Sequence, residues 1–128
     1  MSDATAWPAD RRITIRDLQA ATDRGERWSM LTSYDTLTAG IFEQAGVRAL
    51  LVGDTSAEMV LGYPDTVPVT MDELVPMVQA VVRGTRTALV VADLPFGSYQ
   101  AGPAVALANA KGIDARAIKE YLTKNYGS

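Results

Sequence analysis

Two stretches of this chain constrain its fold more than anything else. Val47–Val52 is nearly all apolar and runs straight into Gly53-Asp54, and Thr87–Ala92 does the same and runs into Asp93. Continuous apolar runs of this length suit strands buried on both faces, as in parallel sheets, and not the in–out alternation of a half-solvated antiparallel strand. Parallel neighbours need a crossover between them, and the intervening sequence spells one. Thr70-Met71-Asp72-Glu73 is a capping box, Leu74, Met77, Val78, Val81 and Val82 line one helical side, and Gly84 closes the segment. Pro76 lies inside this helix, which predicts a kink or a start displaced toward Val75.

The same grammar extends in both directions. Thr14-Ile15-Arg16-Asp17 has capping-box spacing with Asp in the fourth place, so a helix is predicted over 15–24, ended by Gly25. Trp28–Ser33 reads as a strand. Asp35 or Thr36 then caps a helix that runs through Phe42 and Ala45 and stops at Gly46. Residues 55–69, with Gly62, Pro64, Asp65 and Pro68, read as a loop, as do Leu94–Tyr99. Pro103 suits the first position of an Ala-rich helix through Lys111. A last helix is expected beyond Asp114, with Ala117, Ile118, Tyr121 and Leu122 as its stripe and Lys124 in its final turn. Strands alternating with helices predict an α/β fold with right-handed parallel crossovers. The expected organisation is a loose polar tail over 1–12, in which Trp7 can dock, an α/β body over 13–110 and a helical segment over 111–128.

Composition narrows the chemistry. The chain has 128 residues, with neither Cys nor His. That suits one domain and is short of the roughly 200 residues that a complete (β/α)8 barrel needs. Thiolate nucleophiles, zinc–thiolate sites, imidazole bases and Ser-His-Asp triads are excluded, leaving carboxylates, Lys, Tyr, hydroxyls, backbone amides or a hard cation. A formal charge of −3 argues against nucleic acid as a partner. The polar N-terminus lacks a signal-type apolar core, and no apolar run approaches a membrane span, so a cytoplasmic location away from membranes is expected.

The site candidates follow from position. Ligands of parallel α/β folds bind at the carboxyl ends of the strands, and two buried strands here each end in an acid. If those strands are neighbours, Asp54 and Asp93 stand side by side and suit a hard cation such as Mg²⁺, which takes few protein oxygens and completes its shell with water and substrate. The same acids equally suit caps of the turns that follow them, and spacing alone leaves both readings open. Gly53 permits close backbone approach, and Thr55 and Ser56 add hydroxyls, though Gly-Asp-Thr-Ser is also a plain turn sequence. Asp35 fits a helix cap better than a catalytic group. Met71 and Met77 read as core filling.

Four blocks, in order, carry a family resemblance. They are Trp28-Ser29-Met30-Leu31-Thr32-Ser33-Tyr34-Asp35, Leu50-Leu51-Val52-Gly53-Asp54-Thr55, Thr66-Val67-Pro68-Val69-Thr70-Met71-Asp72-Glu73 and Val90-Val91-Ala92-Asp93-Leu94-Pro95-Phe96-Gly97-Ser98-Tyr99. Over residues 11–110 the chain resembles the N-terminal part of the ketopantoate hydroxymethyltransferase family. The resemblance implies parallel βα units of a TIM (β/α)8-barrel family, here about three of them plus a C-terminal helix. It implies Mg²⁺ held by Asp54 and Asp93, and a 2-oxo acid bound at Asp54, Thr55 and Asp93, with Thr55 where the family usually has Ser. It further implies 5,10-methylenetetrahydrofolate as the co-substrate that donates a hydroxymethyl group to 3-methyl-2-oxobutanoate, and a homo-oligomer.

The departures are equally specific. The family's K-[LIV]-E-G-G motif, its Glu base and its His do not occur in these residues. Two functions therefore stand: a hydroxymethyltransferase whose activity as this chain is in doubt, and a non-catalytic α/β module that self-associates or binds a metal and 2-oxo acid weakly.

Overall fold

The computed structural model describes residues 7–113. Its elements are α1 (Ile15–Asp23), β1 (Met30–Thr32), α2 (Thr36–Gln44), β2 (Ala49–Val52), α3 (Ser56–Met59), α4 (Met71–Gly84) and β3 (Leu89–Ala92). Residues 103–113 are helical as well. The strands form one parallel sheet in the order β1-β2-β3, with Thr32 opposite Leu51 and Val52 opposite Ala92. The α/β class and the parallel pairing are as the apolar runs predict. The helix expected beyond Asp114 lies outside the described residues.

Local chemistry sets the helix starts. The Thr14 hydroxyl accepts from the Asp17 amide while the Asp17 carboxylate accepts from the Thr14 amide, and Thr70 and Glu73 repeat the arrangement at α4. Asp35 caps α2, its carboxylate accepting from the Thr38 amide at 2.7 Å. Two first-turn amides that would otherwise lack acceptors are thus satisfied at each box. α4 runs unbroken through Pro76, and its start is set by the capping box instead of moving to Val75. Pro76 is exposed, so the ladder rung it removes lies on the wet side of the helix.

One correction concerns a segment where turn-forming residues dominate the sequence. Residues 55–69 are not loop throughout, because α3 occupies Ser56–Met59. The chain leaving β2 turns at once, with the Ser56 amide donating to the Gly53 carbonyl and the Ala57 amide to that of Asp54. Four residues with no side-chain cap carry no periodic signal. Gly84 ends α4, as the sequence predicts, and forms its last residue. A Cβ there would lie 2.5 Å from the Thr36 carbonyl oxygen, so the glycine is required by the close crossing of α4 over the start of α2. The Thr36 hydroxyl donates to the Ala80 carbonyl at the same crossing.

The core lies between the sheet and α2 and α4. Leu50 and Val52 of β2 pack with Ala39 of α2, with Leu74, Val75, Val78, Val81 and Val82 of α4, and with Ile113. Burying each Val or Leu contributes about 1.5–3 kcal/mol. Because strand side chains alternate between faces, Leu51, Gly53, Val91 and Asp93 fall on the sheet face opposite this layer.

The amino ends of the strands are held by long-range polar contacts. Glu43, at the end of α2, accepts from the backbone amides of Arg86, Thr87 and Ala88 as the chain enters β3. Burial pushes the Glu43 carboxyl up, but those three amides and the Thr87 hydroxyl outweigh it and leave the group below the usual carboxylate range. Arg12 donates to the carbonyls of Val82, Thr85 and Ala88, closing the carboxyl end of α4. Trp7 donates from its indole to Glu26 at 2.7 Å, and the guanidinium groups of Arg24 and Arg48 lie 5.3 and 5.1 Å from its ring centre. Within the segment expected as a loose tail, Trp7 and Arg12 are therefore anchored.

Candidate metal and 2-oxo acid site

The carboxyl ends of β2 and β3 are adjacent, so the residues that follow them meet. The Asp93 amide donates to the Val52 carbonyl at 3.1 Å, continuing the ladder one step beyond the strands. The Asp54 amide in turn donates to Oδ2 of Asp93 at 3.1 Å. Asp93 therefore bonds across to the neighbouring strand end and does not cap its own turn. Asp54 does not cap α3 either, since Thr55 holds the N-cap position and makes no side-chain cap bond. Both carboxylates are half-buried.

Gly53 is what lets the pair close up. A Cβ at this position would lie 3.2 Å from Asp93 Oδ2 and 3.4 Å from Thr55 Oγ1. The carboxylate and the hydroxyl thus border one small space above the Gly53 backbone. Thr55 Oγ1 also contacts the Tyr34 phenol oxygen at 2.5 Å, which ties in the end of β1. The Tyr34 ring packs against the core, so its hydroxyl is held by a packed body.

Two further hydroxyls stand at this edge. Ser33 follows β1 and Ser56 opens α3, and their Oγ atoms are the buried side-chain oxygens without a protein hydrogen-bond partner among the described residues. An unpartnered buried hydroxyl costs about 1–3 kcal/mol. The sequence reading gave neither Ser33 nor Tyr34 a role at the site. A Ser-Tyr-Asp sequence after a short strand reveals nothing of a contact made 21 residues downstream.

Among the described residues no cluster of three or more His, Cys, Asp or Glu is placed to hold a metal. Two carboxylates on neighbouring strand ends are nonetheless a fitting partial set for Mg²⁺, which binds through one or two carboxylates plus water and substrate oxygens. No described helix is long and apolar enough to cross a membrane.

A one-layer-covered parallel sheet with paired acids at its carboxyl edge defines the class: an α/β protein of the kind that binds ligands at strand ends. The profile of ketopantoate hydroxymethyltransferase matches residues 12–121, and the chain belongs to that family. The match continues past residue 110, where the resemblance read from the sequence blocks ends. A 3-methyl-2-oxobutanoate hydroxymethyltransferase of Thermobifida fusca is 60% identical over 112 residues, covering 88% of this chain and 39% of its own length. The enzyme of the same name from Frankia alni is 62% identical over 106 residues, covering 83% of this chain and 35% of its own length. That from Leifsonia xyli is 52% identical over 122 residues, covering 92% and 44%. The chain thus spans less than half the length of these relatives. Among solved structures, a phosphonopyruvate hydrolase in complex with oxalate and Mg²⁺ superposes with a TM-score of 0.58 at 20% identity, over 80% of this chain and 34% of that one. At that identity the likeness concerns the fold.

Proposed function

We propose that this chain forms the metal- and carboxylate-binding part of a 3-methyl-2-oxobutanoate hydroxymethyltransferase, built as parallel βα units of a (β/α)8 barrel. The observation that carries the reading is the Asp54–Asp93 junction, two acids joined by a backbone-to-carboxylate bond at adjacent strand ends. Asp54 and Asp93 would hold Mg²⁺, with 3-methyl-2-oxobutanoate completing its shell. Bound there, the ion acts as a Lewis acid toward the 2-oxo group. Thr55 offers its hydroxyl to the carboxylate of the acid, and Gly53 leaves room for it. The Asp54 amide bond holds Asp93 in place, so that its carboxylate is oriented before ligand arrives.

5,10-Methylenetetrahydrofolate is the proposed hydroxymethyl donor. The transfer also requires a base for the C3 proton, a role that contributes about 10²–10⁴-fold. The family's motifs for later strands do not occur in these 128 residues. A second reading is that these residues bind metal and 2-oxo acid without turnover, through the Asp54–Asp93 pair. Self-association fits both readings, since among the described residues β1 pairs on one side and has Met30 and Leu31 exposed.

Calorimetric titration of Mg²⁺ and 3-methyl-2-oxobutanoate, followed by a folate-dependent turnover assay, tests the proposal. Asp54→Ala and Asp93→Ala are each expected to weaken Mg²⁺-supported binding of the acid by about a hundredfold, the order expected when a first ligand is removed. Binding without turnover selects the second reading. Mg²⁺-dependent binding that survives both substitutions overturns the site. A compact monomer by light scattering overturns self-association.

A further inference from the structure

We propose that Tyr34 is a positioning residue that makes the Thr55 hydroxyl a committed donor to the anionic end of the ligand. The inference rests on the 2-oxo acid reading above. Its starting point is the contact between the Tyr34 phenol and Thr55 Oγ1, which joins the ends of β1 and β2.

Each hydroxyl carries one proton and two lone pairs. A phenol is the better donor of the two, since its oxygen lone pair is delocalised into the ring. With Tyr34 donating, one lone pair of Thr55 Oγ1 is occupied and its own proton is left without a protein acceptor. Thr is stiff about χ1 because of its branch, and the phenol lies on one side, so the position of Oγ1 is fixed and its proton rotates into the sector that the phenol leaves open. On the other side lies the space above Gly53, which Thr55 Oγ1 and Asp93 Oδ2 both border. A carboxylate arriving there meets a donor already aimed, beside an acid that repels it unless a cation lies between. Tyr34 itself need not touch the ligand. Its ring is anchored in the core layer, which fixes where the phenol oxygen stands.

Replacing Tyr34 by Phe keeps the packed ring and removes only the hydroxyl. The full chain is titrated with 3-methyl-2-oxobutanoate at saturating Mg²⁺, and separately with Mg²⁺ alone. Tyr34→Phe is expected to weaken binding of the acid about three- to tenfold, the worth of one hydrogen bond, and to leave Mg²⁺ affinity unchanged. The effect should vanish in a Thr55→Val background and persist in a Thr55→Ser background, because only Ser preserves the relayed hydroxyl. A merely structural Tyr34 would give the same loss in all three backgrounds, and that result overturns the proposal. So does acid binding that Tyr34→Phe leaves untouched. If the unmodified chain fails to bind the acid with Mg²⁺, the parent reading falls and takes this one with it. A distinct outcome, intact binding with no Tyr34–Thr55 coupling, removes the relay alone.

Discussion

At the amino ends of the strands, Glu43 spends both carboxylate oxygens on amides of the chain entering β3, and Arg12 spends its guanidinium on carbonyls that close α4. At the carboxyl ends, Asp93 gives one oxygen to an amide, while Ser33 and Ser56 bury hydroxyls that no described residue satisfies. The same residue types therefore serve opposite ends. Where a charged group is saturated by backbone, it stabilises the fold and is closed to ligands. Where strand-end acids and hydroxyls are only partly engaged, stability is given up and binding capacity remains.

The contrast breaks most visibly at Glu43. Glu43→Ala leaves three backbone amides short of their acceptor, and urea denaturation should show a loss of about 2–4 kcal/mol with ligand affinity little changed in the folded fraction. The pH dependence has a definite sign. Because the folded carboxyl lies below the usual range, its contribution is present above the ordinary Glu value, near 4.3, and is lost as pH falls through the folded value. Melting temperatures followed from pH 6 downward should therefore fall less steeply in Glu43→Gln than in the unmodified chain.

Gly84→Ala probes the helix crossing that supports both ends. A methyl group 2.5 Å from a backbone oxygen forces α4 away from α2, with an expected cost of about 1–3 kcal/mol by thermal melting. An unchanged melt would mean that the crossing adjusts freely.

Gly53→Ala sharpens the comparison from the other side. The new methyl presses on Asp93 Oδ2 and Thr55 Oγ1 at 3.2 and 3.4 Å. Affinity for Mg²⁺ with the acid should drop about tenfold while the melt stays within about 0.5–1 kcal/mol of the unmodified chain. A large stability loss with normal binding would reverse the assignment of this edge. The smallest effect is expected at Trp7. Trp7→Ala removes an indole bond and two cation–π contacts on a half-exposed ring, about 1 kcal/mol in a denaturation curve.

Much of this architecture was legible because its causes are local. The Thr14–Asp17 and Thr70–Glu73 boxes act across three residues, so four letters of sequence suffice to place a helix start. The apolar runs before Asp54 and Asp93 announce parallel strands by composition alone. Pro76 misleads because its consequence depends on which side of α4 meets water. Gly84 marks the helix end correctly, but its sequence context hides the second reason for a glycine there, the Thr36 backbone beside it. The strand-end acids were legible as candidates, but the choice between cap and site was not.

What lateral pairing decides is where the two acids stand. The Asp54–Asp93 bond joins residues 39 apart, and it exists because Val52 stands opposite Ala92 in the β2–β3 register. Glu43 reaches across 45 residues to Ala88, and Arg12 across 76 to the same residue's carbonyl. By itself the sequence determined the capped helices, the strands, their parallel character and the family to which they belong, since each is encoded by short-range periodicity, capping and motif, whereas the uncapped α3 is not. Only the tertiary structure decided which acid is consumed by backbone and which remains available, which glycine is spatially obligatory, and that Tyr34 meets Thr55. Those outcomes depend on distances between segments that chain connectivity leaves free and that packing of the sheet against α2 and α4 makes definite.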